Sequence, residues 1–397
     1  MELTREEEHM LSGDYGEATR LAMRLIVRVG EALGAERLIE ISHAHVSGIS
    51  YDNIGEHGLS FIKELAEKGG RARVYATYNP VGLSLLPGPL GPEEVGEAFY
   101  RKQMEIIRSL EHMGFKASAT CIPYRLRRPR LGEHLAWGES SAVAVANTLY
   151  GARTNREGGP LALAAALTGR TYYWGLHLEE NRRPDALVSY TGGPLGEPGS
   201  GLLGYIIGQS LPDTVPYIDA AVEKPRSVQS LCAAAAASGN TAMCVIRGVS
   251  PEDHGPPERP RERLTITPED LERLRRDIAP LEPREAELFF TGCPHHGVEE
   301  LDRIERLLDG LGLDRAPKPV WVAVPGLYSA SLRERAERLR RRNIHVLPGT
   351  CIVVARLIPG ARIATDSLKA VFYLPRRHGA EVAVTSLREF LKQSLHG

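Results

Sequence analysis

The stretch ELFFTGCPHH, which runs from Glu287 to His296, joins a short apolar segment directly to a polar turn. Its first half, Glu287–Thr291, is aromatic and apolar enough to predict a buried strand, and Gly292 then ends it. The following segment, Val298–Leu308, carries leucine and isoleucine at helical spacing. A strand, a polar turn and a helix in this order form the repeating unit of a parallel α/β sheet.

The rest of the C-terminal third repeats this unit. Further strands are predicted at Val320–Val324, Ile344–Leu347, Ala361–Thr365 and Glu381–Val384, and helices at Ser331–Arg342, around Lys369–Tyr373 and at Leu387–Leu395. Ser331 and Glu334 have the spacing of a capping box, which predicts the start of the first of these helices. The fold class is therefore α/β, with mainly parallel sheets built from βαβ units.

The N-terminal two thirds show the same alternation less regularly. Thr4 and Glu7 predict a capping box, and Ala18–Leu33 is an amphipathic helix. Strands are predicted at Arg37–Ser42, Ala72–Thr77, Lys116–Thr120, Tyr172–Leu178 and Ala186–Tyr190, small-residue helices at Ser140–Leu149 and Pro160–Leu167, and an irregular segment at Gly192–Gly204.

The length of the chain favours two or three domains. We predict an N-terminal α/β domain over residues 1–212 and a C-terminal α/β domain over residues 283–397. Between them, residues 213–282 form a smaller α/β segment that contains a proline-rich loop at 250–263.

The composition is that of an ordinary globular protein. The chain has 397 residues, of which 42% are hydrophobic and 25% charged, and its formal net charge is −1. This balance gives no overall basic surface that would attract nucleic acid or an anionic membrane. No apolar stretch approaches the roughly 18 residues of a membrane span, and the first residues are polar and acidic, unlike a signal peptide. We therefore expect a soluble cytoplasmic protein that binds neither nucleic acid nor membranes.

The five cysteines fall into two groups. Their odd number and wide spacing argue against a disulfide framework and for a reducing compartment. Cys232 lies in a small-residue helix and Cys244 in a predicted strand, so both are expected to be small buried side chains. Cys121, Cys293 and Cys351 differ, because each follows the carboxyl end of a predicted strand in a turn marked by Gly or Pro.

The position of these three cysteines suggests a metal site. The carboxyl ends of parallel strands meet at one edge of a sheet, where ligands commonly bind. Thiolates bind iron and zinc, and three of them are one short of a closed four-ligand site. A cluster held by three cysteines would leave one iron open to act as a Lewis acid on a substrate. The alternative is three unrelated buried thiols, and the spacing alone does not decide between the two.

Polar residues also follow other predicted strands. His43 and His45 would share one face if their strand continued, with Ser47 in the turn beyond. Such a pair would bind a metal ion, transfer protons or form a structural hydrogen-bonded pair. Asn79 occupies a similar turn and is a candidate for binding a carboxylate or a cluster sulfur, with a plain turn role as the alternative.

A third candidate segment combines charged, hydroxyl and amide groups. Glu139 and Ser140 begin a small-residue helix, and Asn155 and Arg156 lie in the glycine-rich stretch that follows it. These groups are suited to a polyanionic substrate, although exposed loop arginines would give the same pattern.

Basic residues elsewhere are candidates for binding an anion. Ser367 and Lys369 stand at a predicted helix N-terminus, where they would bind an anion or where Ser367 would cap the helix. A basic run shortly after Cys121 is suited to a phosphate: Arg125, Arg127, Arg128 and Arg130.

Together these motifs resemble the aconitase X family. In chain order they are ISHAHVSG from Ile41, TYNPVG from Thr77, TCIPY around Cys121, WGESSAVAVANTLYGARTNREGGP from Trp137, TGCPH around Cys293, PGTC at Cys351 and TDSLKA from Thr365. The resemblance covers essentially the whole chain. The ARTNREGGP block and the three cysteine motifs are its most specific part.

The resemblance implies an aconitase-like fold of two or three domains around a central iron–sulfur site. It implies the large subunit of a dehydratase, with Cys121, Cys293 and Cys351 as ligands of a cluster, expected to be 4Fe-4S. The family's catalytic unit includes a further small swivelling domain, which is fused in some members and separate in others. Because this chain ends after its last βα unit, a separate small subunit is expected to complete the active site in a heterodimer.

Two activities are known in the family. One is the dehydration of 5-phosphomevalonate to trans-anhydromevalonate 5-phosphate in an archaeal mevalonate pathway, and the other is the dehydration of cis-3-hydroxyproline. The two-chain form and the arginines after Cys121 favour the phosphorylated hydroxy acid. His45, His295 or His296 would protonate the departing hydroxide. Similarity to the aconitase mechanism implies a serine base, which is not assigned within this chain.

The residues expected to bind the substrate are Ser47, Asn79, Glu139, Ser140, Asn155, Arg156, Ser367 and Lys369. Two alternatives of other classes stay open. One is a zinc or di-metal hydrolase built on His43 and His45, which would leave the three strand-end cysteines unexplained. The other is a non-catalytic scaffold subunit.

Overall fold

The computed structural model describes residues 1–222, 224–357 and 359–395. Along these residues the helices are α1 (Arg5–Ser12), α2 (Glu17–Ala32), α3 (Tyr51–Glu67), α4 (Pro92–Val95), α5 (Glu97–His112), α6 (Ser140–Tyr150), α7 (Gly159–Thr168), α8 (Glu197–Ser210), α9 (Pro225–Gly239), α10 (Pro268–Ile278), α11 (Glu299–Gly310), α12 (Ser329–Arg341), α13 (Leu368–His378) and α14 (Leu387–Gln393). The strands are β1 (Leu38–Glu40), β2 (His43–Val46), β3 (Tyr75–Tyr78), β4 (Ala136–Trp137), β5 (Arg170–Tyr172), β6 (Ala186–Tyr190), β7 (Pro216–Asp219), β8 (Val245–Ile246), β9 (Glu262–Ile266), β10 (Leu288–Thr291), β11 (Val320–Val324), β12 (Ile344–Pro348), β13 (Arg362–Thr365) and β14 (Glu381–Val384). Within the described part of the chain, no helix is both long and apolar enough to cross a membrane.

The C-terminal third forms a five-stranded parallel sheet in the order β12-β11-β10-β13-β14. Both faces of its central strand β10 are buried. Phe289 packs with Phe390 in the core on one face, and Phe290 belongs to a second core cluster. A strand that is covered on both faces is apolar throughout, which explains why ELFFT shows no alternation. The predicted βαβ organisation is confirmed.

The middle part forms a four-stranded parallel sheet in the order β8-β7-β6-β9. Helices α8 and α9 pack so closely that a Cβ atom on Gly204 would lie 2.2 Å from the carbonyl oxygen of Leu231. The lack of a side chain at Gly204 of α8 therefore allows the two helices to approach. Cys232 in α9 and Cys244 just before β8 are both fully buried, as expected for core residues.

The N-terminal part contains a three-stranded parallel sheet, β3-β2-β4, and an antiparallel pair, β1 and β5. Helix α2 buries an apolar stripe that includes Met23 and Ile26. The predicted capping box of Thr4 and Glu7 is present at the start of α1 and is confirmed.

Two predicted strands of the N-terminal part differ from the structure: one is shorter than expected and the other is not formed. The segment Arg37–Ser42 forms only the short β1, and a new strand, β2, begins at His43. The two histidines therefore lie within a strand instead of in a turn after one. The segment Lys116–Thr120 runs beside β3, but the hydroxyl of Ser118 bonds both backbone groups of Tyr78, at 2.8 and 2.9 Å. Ala119 then takes a φ of 36°, which interrupts a regular strand.

Three other predicted elements differ from the structure. The segment Gly192–Gly204 was expected to be irregular but contains the first half of α8, because its Pro198 lies in the first helical turn, where proline is tolerated. Only the first residue of Tyr172–Leu178 is in a strand, β5, and a 3₁₀ turn follows. Helix α12 begins at Ser329, and the Ser331 hydroxyl donates to the Tyr328 carbonyl instead of capping the helix.

A single core cluster joins all three parts of the chain. It includes Trp137 of β4, Leu231 of α9 and Phe290 of β10. Cys121 and Cys293 belong to the same cluster. The N-terminal sheet β3-β2-β4 and the C-terminal five-stranded sheet therefore contact the same core cluster, and their strands end beside it.

Candidate active site

A pocket with a volume of about 240 Å³ lies where these two sheets end; we call it the site pocket. Ser47, Asn79 and Gly138 follow β2, β3 and β4 of the N-terminal sheet. Cys293 and Cys351 follow β10 and β12 of the C-terminal sheet. The carboxyl edges of both parallel sheets thus face one cavity, which is the usual location of a ligand site in such folds.

Three thiols from distant segments line the site pocket: Cys121, Cys293 and Cys351. The thiols of Cys293 and Cys351 hydrogen-bond each other, and the Cys121 Sγ atom accepts the backbone N–H of His295 at 3.2 Å. In the described ranges, no group of three or more His, Cys, Asp or Glu side chains is arranged to hold a metal ion. The three thiols therefore share a pocket without converging on the position of a single ion.

The turn that presents Cys293 requires glycine. Gly292 has a φ of 103°, and a Cβ atom there would lie 2.5 Å from the carbonyl oxygen of Ala323. Any other residue would be strained in this conformation and would collide with β11. Beyond the turn, the Ser367 hydroxyl donates to the Cys293 carbonyl. Together these contacts end β10 sharply and hold the thiol at the pocket wall.

The thiols differ in their electrostatic surroundings. Burial raises the pKa of Cys121. The hydrogen bond between Cys293 and Cys351, followed by burial, raises the pKa of Cys293, whereas the same bond lowers the pKa of Cys351. The ammonium group of Lys369 acts to lower the pKa of all three thiols, because a nearby positive charge favours the thiolate.

A buried ion pair forms another wall of the site pocket. The Nζ atom of Lys369 bonds the Oε1 atom of Glu139 and lies 3.3 Å from the hydroxyls of both Ser140 and Ser141. Burial opposes ionisation of Glu139, but the charge of Lys369 and hydrogen bonds from Lys369, Asn79 and Ser141 lower its pKa to about 2. Burial also acts to lower the pKa of Lys369, but the negative charge of Glu139 outweighs it and raises that pKa. Both groups are therefore charged at neutral pH.

Most of the expected substrate-binding residues line the site pocket: Ser47, Asn79, Glu139, Ser140, Arg156 and Lys369. Asn155 does not, because its amide accepts from Leu176 N–H at 2.8 Å and donates to the Trp174 carbonyl at 3.0 Å. Ser367 lines a smaller cavity of about 30 Å³ on the other side of Cys293, and its hydroxyl caps α13.

The three histidines expected to act as acids lie outside the described lining of the site pocket. Both ring nitrogens of His45 are hydrogen-bonded and the residue is fully buried. His295 has its Nε2 atom 2.6 Å from the Thr350 carbonyl oxygen, and burial lowers its pKa to about 4. His296 lines the smaller cavity, with its Nε2 atom 2.5 Å from the Thr291 hydroxyl. Their assignment as acids stays a prediction.

Two pocket residues on α13 and one on α3 were not expected from the sequence. Tyr373 and Arg377 follow Lys369 at intervals of four residues, so all three share one face of α13. Asn53 of α3 accepts a hydrogen bond of 2.9 Å from Arg377 Nη2. The spacing from Lys369 places Tyr373 and Arg377 on one face of α13, but nothing in the sequence turns that face toward the site pocket or indicates Asn53.

The site pocket carries more positive than negative charge among its described residues. Its cations are Lys369, Arg156 and Arg377, and Glu139 is its acidic residue. Lys369 is nearly buried, whereas Arg156 and Arg377 are exposed and are held by the amide oxygens of Asn240 and Asn53. The geometry therefore suits a ligand with negative charge.

One acidic residue of the glycine-rich segment faces away from the site pocket. The carboxylate of Glu157 accepts hydrogen bonds from the Tyr172 hydroxyl at 2.6 Å and the Thr171 hydroxyl at 3.3 Å, and the residue is only 3% exposed. Burial raises the pKa of Glu157 to about 7, against the effect of these two hydrogen bonds.

The substitution Glu157→Gln should remove part of the pH dependence of stability. Because the pKa of Glu157 in the folded chain is about 7, above its ordinary value of 4.5, the folded chain keeps a proton that the unfolded chain has lost. The free energy of unfolding of the wild type should therefore fall as the pH rises through this window, by roughly 3 kcal/mol for this group. Urea unfolding should be measured between pH 4.5 and about 7. The free energy of unfolding of Glu157→Gln should rise relative to that of the wild type as the pH rises.

Glu180→Gln, at an exposed carboxylate, is the matched control and should keep the wild-type pH dependence. Parallel pH profiles for Glu157→Gln and the wild type would contradict the assignment.

Comparison with known proteins agrees with the motifs. The chain matches the aconitase X first domain over residues 1–180, the second domain over 194–276 and the third domain over 286–396. It is 41% identical to the phosphomevalonate dehydratase large subunit of Aeropyrum pernix, over 99% of each chain. It is 30% identical to the cis-3-hydroxy-L-proline dehydratase of Pseudomonas aeruginosa, over 98% of this chain and 69% of that protein.

The fold agrees as well. The crystal structure of Thermococcus kodakaraensis aconitase X (holo-form) superposes with a TM-score of 0.89 at 35% identity, over 99% of both chains. The chain matches three family domains in order, a relative over 99% of its length and the fold of a solved family member, and it therefore belongs to the aconitase X family.

Proposed function

We propose that this chain is the large subunit of a cytoplasmic hydro-lyase that dehydrates (R)-5-phosphomevalonate to trans-anhydromevalonate 5-phosphate in an archaeal mevalonate pathway. The main support is the similarity of the chain to five archaeal proteins named phosphomevalonate dehydratase large subunit, at 35–41% identity. The two proteins named cis-3-hydroxy-L-proline dehydratase are more distant, at 28–30% identity. Dehydration of cis-3-hydroxy-L-proline is the second candidate.

The charges of the site pocket favour the phosphorylated substrate. Phosphomevalonate carries a phosphate and a carboxylate at opposite ends of a short carbon chain. The exposed Arg156 and Arg377 are suited to the phosphate, because guanidinium groups bind phosphate through paired hydrogen bonds. The buried Lys369 is suited to the carboxylate. Hydroxyproline has no second anionic group for the two exposed arginines.

The three pocket thiols are the proposed ligands of an iron–sulfur cluster, expected to be 4Fe-4S. The donor set fits such a group, because soft thiolates select iron–sulfur clusters and the Lys369 ammonium favours the thiolate form. In a 4Fe-4S cluster the thiols of Cys121, Cys293 and Cys351 would each hold a separate iron, so they need not converge on one ion. When bound, a cluster with one iron free of protein ligands supplies a Lewis acid for the substrate hydroxyl.

The residues of this chain orient the substrate and stabilise charge. Removal of a proton next to the carboxylate places negative charge on that carboxylate, and Lys369 is positioned to stabilise it. Glu139 balances Lys369 in the absence of substrate, and its low pKa keeps it ionised. His295 and His296 stay the proposed donors to the departing hydroxide. His45, named with them from the sequence, has both ring nitrogens hydrogen-bonded and is better suited to positioning than to proton transfer. The base is proposed to come from a separate small subunit that closes over the site pocket.

A small-subunit partner is proposed from the relatives. Five of them are named large subunits and are matched over 95–100% of their length. The hydroxyproline dehydratases are matched over only 69% of theirs. We infer that the unmatched part of these longer proteins holds the fused small domain, which in the two-chain form is a separate subunit.

Activity and substrate choice test the proposal together. The chain, coexpressed with its small subunit, should dehydrate 5-phosphomevalonate and leave cis-3-hydroxy-L-proline unchanged. Arg377→Met should raise KM for phosphomevalonate by about 10-fold or more with little change in kcat, since it removes a charged hydrogen bond to the phosphate.

Arg376→Met is the matched control, because Arg376 lies on the same helix but bonds the Phe372 carbonyl instead of lining the site pocket. Turnover of hydroxyproline in place of phosphomevalonate would contradict the proposal.

Substitution of the cysteines tests the cofactor. Protein purified without oxygen should be brown and contain iron and acid-labile sulfide. Cys293→Ala should abolish the visible absorbance, because it removes one proposed ligand. Cys232→Ala, at a buried cysteine of α9, should retain it. A colourless wild-type protein with stoichiometric zinc would overturn the cluster and favour the hydrolase alternative.

A further inference from the structure

A line of hydrogen bonds runs from the core of the N-terminal sheet to the wall of the site pocket. We propose that Thr77 and His45 are positioning residues, which fix the orientation of the Asn79 amide and, through it, the carboxylate of Glu139. None of these contacts depends on a bound cofactor. The test has two parts. The activity measurement rests on the proposed function, whereas the structural measurement, by NMR of His45, does not.

The contacts are continuous from one end to the other. The Nε2 atom of His43 lies 2.8 Å from the Thr77 hydroxyl, and the same hydroxyl lies 2.7 Å from His45 Nδ1. His45 Nε2 lies 3.0 Å from Asn79 Oδ1, and Asn79 Nδ2 donates to Glu139 Oε2 at 2.7 Å. The parallel pairing of β2 with β3 produces this line, because it sets His43 and His45 beside Thr77.

The negative charge of Glu139, at the pocket end of the line, determines which group donates and which accepts in every hydrogen bond. Glu139 is ionised and accepts only, so Asn79 must direct its N–H group toward it and its carbonyl toward His45. His45 therefore donates from Nε2. As a neutral ring it then accepts at Nδ1 from the Thr77 hydroxyl, which in turn accepts from His43 Nε2.

The protonation states of His43 and His45 agree with these donor and acceptor assignments. Burial lowers the pKa of His45 to about 4, although bonds to Asn79 and to the backbone of Thr120 oppose the effect. Burial likewise holds the pKa of His43 well below its ordinary value. Each ring is therefore neutral with one N–H group. The Nδ1 atom of His43 has no hydrogen-bond partner among the described residues, which is consistent with a proton on Nε2, and the ring makes T-shaped contacts with Tyr75 and Trp137.

The line explains how a buried carboxylate keeps one orientation. One oxygen of Glu139 accepts from Asn79, which leaves the other for Lys369 and the Ser141 hydroxyl. Without the Thr77 hydroxyl, the His45 ring loses the contact that fixes its position, and the Asn79 amide bonded to it shifts with it. A displaced amide would move the Glu139 carboxylate and the ion pair that faces the substrate.

The structural measurement determines the tautomer of His45 directly. Ring ¹⁵N NMR of the wild-type two-chain protein, with ¹⁵N-labelled histidine and the signal assigned by its loss in His45→Gln, should show a neutral ring with its proton on Nε2. A proton on Nδ1, or a doubly protonated ring at neutral pH, would overturn the proposal. This result is obtained whether or not any substrate is turned over.

The activity measurement compares matched threonine variants. Thr77→Val should lower kcat for phosphomevalonate by about 10- to 100-fold while KM changes little, as expected for a misplaced pocket group. Thr77→Ser keeps the hydroxyl and should restore most of the rate. Thr171→Val, at a buried threonine that bonds Glu157 away from the site pocket, should keep the wild-type kcat.

A wild-type kcat in Thr77→Val, or a folded Thr77→Ser as slow as Thr77→Val, would overturn the proposal. If the wild type dehydrates neither substrate, the proposed function fails, and the His45 tautomer still decides the positioning role. If Thr77→Val does not fold, the tautomer and Thr77→Ser decide it.

Discussion

The buried ion pair between Lys369 and Glu139 is the interaction on which the site depends. Removing two charges from water costs several kcal/mol for each, so a buried pair is tolerated only when its remaining hydrogen bonds are satisfied. Here Asn79, Ser140 and Ser141 satisfy them. Because Lys369 begins α13 of the C-terminal part and Glu139 caps α6 of the N-terminal part, the pair fixes the two halves of the site pocket relative to each other.

The same lysine connects the architecture to the chemistry. It lies at the carboxyl edges of both sheets, where its charge favours the thiolate form of three cysteines and is positioned for an anionic substrate. Behind it, His43, His45 and Thr77 extend the polar contacts into the N-terminal sheet. A site built in this way is rigid on the side of this chain, which suits the proposed closure by a separate small subunit.

The regular C-terminal third and the pocket positions of Cys293 and Cys351 were predictable from the sequence, because apolar runs ending in Gly or Pro locate strand ends. Lys116–Thr120 did not form a strand, since the Ser118 hydroxyl takes part in the bonding to β3 beside two backbone bonds and the positive φ of Ala119 interrupts the extended conformation. Arg377 was missed because long-range folding, not local pattern, turns one face of α13 toward the site pocket. The sequence did not indicate that His45 is buried. The chain breaks after β1, so both histidines lie in β2, the central strand of the N-terminal sheet.

A double-mutant cycle on the ion pair tests the account most directly. Glu139→Gln and Lys369→Met each leave one buried charge without its partner, so each should lower the free energy of unfolding by about 3 kcal/mol or more. The double variant should lose much less than the sum, with a coupling energy of at least about 2 kcal/mol in urea unfolding. Additive losses would show that the two charges do not depend on each other and would contradict the central role of the pair.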